Sequence, residues 1–502
     1  MNFERMEDQE GDNSTRPHHV DLHHKVTLCS DAVEHPALRF VPRFFRYENG
    51  PLEAVGLNID FYTRATILMS SIFLGPALLE LASKAAGCGN EQDCNNRIHG
   101  MKPSSLLSNI AIFSNVLVAI LMPLFGALVD HTPYRRQVGV YSALALTIVK
   151  GIETTISSKT WFAIACLQVV AYILYNVHIT STYAYGSELS NNHTVQAKYN
   201  THFFVVLYTS TLIFLIMVLS LAFTLNTDDV ATARIALVLT TTSCAVLFPF
   251  AWGNFFPDRP SKSIIPPGHT LLTSGFRKLL QTGQRIRTEL PALRFLMLSI
   301  MFSEAATGAL ITISTTYMTQ YLDMDATELG VVFFVVLLMG APGSKLAELL
   351  ANKVNPLFSA KALVLLFIVV TFLAVLVLTG PERKQYAAIF GVFWGLGLGG
   401  LHPMHSTLFM TISPSGQETE MMGTYIFAGQ VLAWLPPLLF TILNEWGIVM
   451  KVGLGSLDVF FMVGFIFLSL IGDYHKALDF ARTAAVNGED IPDRDSELNE
   501  IS

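Results

Sequence analysis

Charged residues are scarce in this sequence of 502 residues. Asp, Glu, Lys and Arg together make up 14% of it, whereas 51% of the residues are hydrophobic. A soluble chain carries roughly a quarter charged residues, so the deficit argues against an ordinary soluble globular protein. The net charge of -7 and the lack of a basic stripe argue against a nucleic-acid partner.

Cysteine is also scarce, with five residues in the chain. Cys166 and Cys244 lie in apolar runs, where a cysteine is expected to act as a small core residue. Cys88 and Cys94 share one polar loop, and they could form a disulfide if that loop faces an oxidising compartment. Two free thiols are the equally weighted alternative. The sequence predicts no metal site and no cofactor, and it has no phosphate-binding loop for ATP hydrolysis.

The apolar residues fall in long blocks. A helix needs about 20 apolar residues to cross a bilayer, and these blocks mostly lack the alternation of a strand. The sequence therefore predicts an all-α polytopic membrane protein of about twelve transmembrane helices in two six-helix bundles. The candidate spans are approximately 62–83, 106–129, 138–157, 161–183, 201–225, 231–253, 293–317, 328–350, 361–380, 385–410, 421–443 and 453–472.

A proline-rich and basic stretch divides these spans into two equal sets. Its segment 269–290 has the spacing of an amphipathic helix, which would lie on the membrane surface or act as a strut between the two sets. Lys and Arg are enriched in the loops of one side, which places both termini in the cytosol. The predicted order is a disordered cytosolic tail, a six-helix bundle, a cytosolic linker, a second bundle and a second disordered cytosolic tail, over residues 1–56, 57–253, 254–292, 293–473 and 474–502.

Glu304 lies near the middle of the seventh predicted span. An acidic residue at this depth costs about 2.5–3.5 kcal/mol on insertion scales, so it normally faces a cavity or a partner. A carboxyl group there can bind and release a proton. The hypothesis is that Glu304 couples proton movement to substrate movement, and the alternative is a structural hydrogen bond to a neighbouring helix.

Other polar side chains inside the spans could line the same cavity. Each could instead form a hydrogen bond between helices. The candidates are Asn115, Gln168, Asn176 and His178.

The tenth span contains His402, Pro403 and His405, and the two histidines are further candidates for the substrate or proton pathway. The histidines raise the alternative of a membrane enzyme, but such an enzyme would need further histidine clusters. Pro403 is expected to break the helix after the glycine-rich run 395–400, as in the broken helices of many transport sites. We therefore expect this region to act in gating.

A loop motif follows the second span, with Gly126 and Asp130 before Arg135 and Arg136. A glycine lets neighbouring helices approach closely, and an Asp followed by two Arg can form a latch that opens during conformational change. The motif resembles the loop signature of the major facilitator superfamily, although Pro133 stands where that signature has a glycine.

Further motifs resemble the autophagy-related vacuolar effluxers. They are Tyr175-Asn176 with Tyr185-Gly-Ser-Glu188, the run Gly397-Leu-Gly399-Gly400, and Glu420-Met-Met-Gly423-Thr-Tyr425. The resemblance implies that Tyr175 and Tyr425 belong to the substrate or proton pathway. It also implies that Glu188, Gly399, Gly400 and Glu420 act in conformational change.

The resemblance implies alternating-access export of amino acids from the vacuole or lysosome to the cytosol, by a protein that works as a monomer. Two departures leave the substrate open: Ser406-Thr407 replaces an Arg-Ser pair, and Ser303-Glu304 replaces an Asn-Asp pair. The alternatives are a facilitator for sugars or organic acids, and a receptor or scaffold that keeps the fold without transport.

Overall fold

The computed structural model describes residues 35–47, 50–88, 95–186, 188–190, 193–261, 270–414 and 418–489. The chain forms two units, residues 1–42 and residues 43–502. The described part of the first unit contains a short 3-10 helix, Pro36–Phe40. In the described ranges there is no β-strand, only an isolated bridge between Ile98 and Met101. The predicted all-α class is confirmed.

Sixteen α-helices lie in the described part of the second unit. In chain order they are α1 Leu52–Ala85, α2 Leu106–His131, α3 Arg135–Glu153, α4 Trp161–Gly186, α5 His193–Leu225, α6 Asp229–Asn254, α7 Leu271–Glu289, α8 Pro291–Gln320, α9 Ala326–Lys353, α10 Pro356–Val377, α11 Ala387–Ile412, α12 Glu418–Val431, α13 Leu435–Glu445, α14 Met450–Gly455, α15 Leu457–Leu470 and α16 Tyr474–Glu489.

Eleven spans in the described ranges are long and apolar enough to cross a membrane. The last two of them combine α12 with α13 and α14 with α15. The helix α3 is not among the eleven, because Arg135, Arg136, Lys150 and Glu153 interrupt its apolar length. It nevertheless packs against α4 and α6, where it completes a set of six helices. We call α1–α6 the first set and α8–α15 the second set.

Polar contacts show which helix ends share a side. Glu53 near the start of α1 is paired with Arg259 beyond the end of α6. At the other end of α1, Ser83 donates a hydrogen bond to Gln320 at the end of α8. We call these the Leu52 side and the Ala85 side. The prediction places the Leu52 side in the cytosol.

The two sets contact each other on the Ala85 side. Arg97 forms an ion pair of 3.0 Å with Glu445, and the Lys102 ammonium donates to the Asn444 carbonyl over 2.8 Å. Asp229 accepts a hydrogen bond of 2.8 Å from the backbone N–H of Ala326, which joins α6 to α9. These contacts hold the two sets together at that end of the molecule.

The helix α7 lies in the predicted linker. It packs against α2 of the first set and against α8 and α12 of the second. A Cβ atom on Gly275 would lie 2.2 Å from the backbone oxygen of Pro123, so only glycine permits this approach to α2. These contacts favour the strut over a helix that touches only lipid.

The two predicted tails differ from the expectation. Residues 474–489 form α16, which packs against α11, so this part of the predicted disordered tail is helical. The helix α1 begins at Leu52, about ten residues before the predicted span. Residues 1–34 and 490–502 lie outside the described residues. Hydropathy places helix ends too far inward, because polar residues in the terminal turns lower the local average.

Candidate functional site

The carboxyl group of Glu304 contacts two side chains of a neighbouring helix. Glu304 lies on α8, and its Oε1 atom is 2.8 Å from Nδ1 of His405 and 3.4 Å from Nδ1 of His402. The two histidines are on α11, one helical turn apart, so both reach the same oxygen. We call these three residues the Glu304 cluster. The structure thus brings together three of the residues predicted from polar character inside apolar spans.

The members of the Glu304 cluster differ in exposure. The His405 side chain is fully buried, that of Glu304 is 18% exposed and that of His402 is 60% exposed. The Nε2 atom of His405 is buried without a hydrogen-bond partner in the described structure. Tyr425 of α12, another predicted residue, interacts electrostatically with Glu304 and packs against Phe409, with ring centres 4.7 Å apart and the rings tilted by 31°. The cluster therefore has a buried half and an accessible half.

The predicted break at Pro403 is wrong. The helix α11 is continuous from Ala387 to Ile412. A proline inside a helix removes one backbone hydrogen bond and crowds the carbonyl four residues earlier, but it need not end the helix. That carbonyl belongs to Gly399. The span containing α12 and α13 is interrupted instead, just before Pro436.

A second charged group occupies the first set. Nε2 of His178 on α4 is 2.7 Å from Oδ1 of Asp60 on α1, and Nε of Arg64 is 2.8 Å from the other carboxylate oxygen. Nδ1 of His178 lies 3.0 Å from the Ser142 hydroxyl of α3. We call Asp60, Arg64 and His178 the closed network, because all three side chains are 3% exposed or less.

Sequence reasoning found His178 but missed Asp60 and Arg64. The predicted first span began at residue 62, which left Asp60 outside the span and Arg64 at its edge. An Asp and an Arg four residues apart on one helix can pair, and this spacing was the signal that could have found them. His178 therefore belongs to a group separate from the Glu304 cluster.

The guanidinium of Arg64 keeps unused hydrogen-bonding capacity. Its Nη2 atom is buried and makes no hydrogen bond in the described part of the chain. The group lies 4.0 Å from the ring centre of Phe61 and 5.8 Å from that of Tyr183. Tyr175, which the family resemblance singled out, also interacts electrostatically with Arg64. Arg64 is thus held in place by one carboxylate and by aromatic rings.

The remaining predicted pathway residues are not brought into either group. The Asn176 amide donates to the Tyr172 carbonyl of its own helix over 2.9 Å. The Asn115 amide reaches the Ala433 carbonyl of the second set over 3.4 Å, while its Oδ1 atom is buried and unpaired in the described structure. Nε2 of Gln168 is likewise buried and unpaired there.

The loop motif forms an ionic cluster on the Leu52 side. Arg135 pairs with Glu188 at 2.9 Å, and Arg259 pairs with the other oxygen of Glu188 at 3.1 Å and with Glu53 at 2.6 Å. Burial disfavours the charge of Arg259, but its hydrogen bond to Glu53 and the attraction of both glutamates raise its pKa above the usual value. The cluster ties together α1, α3 and the segments that follow α4 and α6.

Other members of the motif behave differently. Arg136 pairs with Asp258 at 3.3 Å, whereas the Asp130 side chain makes no ion pair with any described residue. The prediction that Gly126 allows close approach is wrong, because a Cβ atom there would meet nothing within 4 Å. Arg259 was not predicted, since its pairing depends on the fold of a distant loop.

The close approach occurs in the second set instead. A Cβ atom on Gly399 of α11 would lie 1.9 Å from the carbonyl oxygen of Gly340 on α9. One on Gly343 would lie 2.2 Å from the carbonyl oxygen of Leu396. Gly400 is also tight, with Ala347 at 3.0 Å. The helices α9 and α11 are therefore packed backbone to backbone.

Two predictions fall partly on undescribed residues. Cys88 is disulfide-bonded, but Cys94 lies outside the described residues, so their pairing stays a prediction. Glu420 lies on α12, but its side chain is outside the described structure.

The fold matches solved membrane transporters. The structure aligns with the nucleoside transporter NupG over 84% of this chain and 100% of that one, with a TM-score of 0.59 at 10% identity. It aligns with the human organic anion transporter MFSD10 over 83% and 98%, with a TM-score of 0.54 at 15% identity. A bacterial homologue of the iron transporter ferroportin aligns over 86% and 98%, with a TM-score of 0.56 at 13% identity. At these identities the matches establish the fold alone.

The sequence itself identifies the family. None of the curated proteins matches this chain. The model of the family described as "Vacuole effluxer Atg22 like" matches residues 189–481, which is more than half of the chain. With the major facilitator fold and the motifs described above, this match shows that the chain is a membrane transporter of the Atg22-like vacuole effluxer family.

Proposed function

We propose that this protein is a secondary active transporter that moves amino acids from the vacuole or lysosome to the cytosol, coupled to protons, by alternating access. The family supports efflux from a vacuole. The fold supports rocking of two sets of helices around a central site. The observation that carries proton coupling is the Glu304 cluster, in which one carboxylate oxygen faces two imidazoles.

The chemistry of the cluster suits proton exchange. A carboxylate and two imidazoles on facing helices can share one proton, and His402 is the most exposed of the three side chains. The titratable groups around Glu304 are His402 and His405 of α11 and Tyr425 of α12. Proton binding would change the charge between α8 and α11 and so favour one arrangement of the helices over another.

The test is transport in sealed vacuolar vesicles that carry the protein. Uptake and efflux of radiolabelled neutral amino acids would be measured with and without a pH gradient. Glu304→Gln should keep the protein folded but remove the dependence of transport on pH, because the amide cannot take up the proton. The matched control is Glu348→Gln, which alters an exposed carboxylate paired with Lys345 and should leave the pH dependence intact.

Four results would contradict the proposal. Unchanged pH dependence in Glu304→Gln would assign this residue a structural hydrogen bond only. Movement of sugars or organic acids with no movement of amino acids would favour the facilitator alternative. Absence of any flux from the folded protein would favour the receptor or scaffold. Loss of a chemical conversion in His402→Ala and His405→Ala would instead point to an enzyme.

A further inference from the structure

Two opposite charges lie at one depth on helices that contact each other. The helices α1 and α8 touch where a Cβ atom on Gly75 would lie 3.4 Å from Thr315, and again where Ser83 donates to Gln320. Arg64 and Glu304 each lie about three helical turns from the first of these contacts, toward the Leu52 side. The first set thus contributes a cation and the second set an anion at matching depth.

Both charged groups have atoms left for a ligand. The Nη2 atom of Arg64 is buried and unpaired in the described structure, although the residue is fixed by Asp60. Both imidazoles of the Glu304 cluster point to Oε1, and Oε2 makes no hydrogen bond with the described residues. Leaving a buried donor unsatisfied costs about 1–3 kcal/mol, and more for a charged group. An unused guanidinium donor inside a transporter is therefore a position at which a ligand acceptor would be stabilised.

We propose that Arg64 and Glu304 form one binding site for a zwitterion, in which Arg64 binds the carboxylate and Glu304 binds the ammonium group. This inference rests on the proposed function, because an amino acid is the zwitterion that such a transporter would carry. The carboxylate accepts from Nη2 of Arg64, and the ammonium donates to Oε2 of Glu304. Each charged end of the solute meets a group from a different set of helices.

The charge balance argues against other solutes. Asp60 already offsets the charge of Arg64, and with neutral imidazoles the Glu304 carboxylate leaves the site negative. A simple organic anion would meet this carboxylate without compensation, and a sugar would bring no positive charge to Glu304 and no negative charge to the unused Nη2 donor of Arg64. Unpaired charges at this depth are strongly disfavoured. A zwitterion satisfies both groups and adds no net charge.

The site also joins binding to conformational change. A solute held by α1 at one end and by α8 at the other draws the two sets together at that depth. Only a ligand that carries both charges at short separation can do so. Recognition of the solute and closure around it are then the same event.

The experiment measures binding by purified, detergent-solubilised protein, from the concentration dependence of the ligand-induced rise in Tm. The ligands are leucine, leucine methyl ester, which lacks the free carboxylate, and N-acetyl-leucine, which lacks the ammonium group. Wild type should bind leucine about 10- to 100-fold more tightly than either blocked form, the range expected for a charged hydrogen bond. We call the ratio of the dissociation constants of a blocked form and of leucine the penalty for that form.

The variants should separate the two ends of the ligand. In Arg64→Gln the penalty for the methyl ester should fall to about onefold, whereas the penalty for N-acetyl-leucine should persist. In Glu304→Gln the pattern should be the reverse. Arg234→Gln is the matched control, because this partly buried arginine donates to the Ile156 carbonyl away from the site. Both penalties should remain in that control.

Two outcomes overturn the site. One is a full methyl-ester penalty in Arg64→Gln, and the other is a full N-acetyl penalty in Glu304→Gln. Should Arg64→Gln fail to fold, Arg64→Lys takes its place. Lysine keeps the positive charge but lacks the planar guanidinium, whose N–H donors match both oxygens of a carboxylate. This variant should lower the methyl-ester penalty about threefold, and an unchanged penalty overturns the site.

The site and the proposed function can fail separately. If leucine binds and is transported but neither variant changes the penalties, the function stands and the site is rejected. If wild type does not bind leucine but binds a zwitterionic dipeptide, and Arg64→Gln weakens this binding, the site stands and amino-acid transport is rejected.

Discussion

The closed network and the Glu304 cluster use similar residues in different ways. Both place a carboxylate beside a histidine at 2.7–2.8 Å. In the closed network the carboxylate of Asp60 also holds a buried arginine, and all three side chains are shielded. In the Glu304 cluster the second partner is another histidine, and that histidine is largely exposed. A similar carboxylate–histidine pair is thus fixed in one set and accessible in the other.

This difference separates holding a charge from exchanging one. A carboxylate that compensates a buried arginine must stay ionised, because its protonation would leave the arginine unpaired. A carboxylate between two histidines can be protonated without leaving a buried arginine unpaired. The first set therefore holds a fixed cation, and the proposed proton exchange would take place in the second set.

The largest expected effect follows from breaking the closed network. Asp60→Asn leaves the buried Arg64 without its counter-charge and should lower the free energy of unfolding by about 3–5 kcal/mol. Thermal unfolding of the solubilised protein measures this loss. Glu304→Gln should lower it by only about 0.5–1.5 kcal/mol, since an amide still accepts from a histidine. Equal losses would contradict the distinction between the two groups.

The control for this prediction uses the same chemical change at the surface. Asp258 pairs with Arg136 at 3.3 Å and its side chain is 64% exposed. Asp258→Asn should therefore change the free energy of unfolding by about 0–1 kcal/mol.

An intermediate effect is expected from the packing of the second set. Gly399→Ala places a methyl group against the Gly340 carbonyl and should cost about 1–3 kcal/mol of stability by forcing α9 and α11 apart. Gly126→Ala is the matched change in the first set. It has open space and should be neutral or stabilising by up to about 1 kcal/mol, because alanine favours helix. Thermal unfolding compares the two, and a neutral Gly399→Ala would refute the backbone contact.

The smallest effect on stability is expected for the exposed histidine. His402→Ala removes a side chain that is 60% exposed and should change the free energy of unfolding by about 0.5 kcal/mol or less. His178→Ala, which leaves Asp60 with one partner fewer, should cost about 1–3 kcal/mol. If both changes have the same effect on thermal unfolding, the accessible and closed environments do not differ as described.

The sequence predicted the features that depend on the order of apolar and polar residues along the chain. The membrane helices follow from the length of apolar blocks, and Glu304, His402 and His405 follow from polar residues inside them. The structure adds that the three meet at one oxygen atom. That meeting point could not be predicted, because it depends on how α8 faces α11.

The failures have a common physical origin. Asp60 and Arg64 were missed because charged residues lower the local hydropathy, so the helix that contains them was begun too late. Gly126 was assigned a close contact that belongs to Gly399, because spacing does not show which helix lies opposite a glycine. Pro403 was expected to end a helix that continues past it. The glycine contact depends on neighbours distant in sequence, whereas the other two features are local ones that hydropathy and residue type describe incompletely.

The backbone contact between α9 and α11 has a mechanical consequence. Because α9 and α11 meet backbone to backbone at Gly340, Gly343 and Gly399, a displacement of one helix would displace the other. On α11, His405 contacts the Glu304 carboxylate. At the start of α9, the N–H of Ala326 donates a hydrogen bond to Asp229 of the first set. If Glu304 takes up a proton, as proposed, a shift of α11 would thereby reach the hydrogen bond between Ala326 and Asp229, which joins the two sets on the Ala85 side.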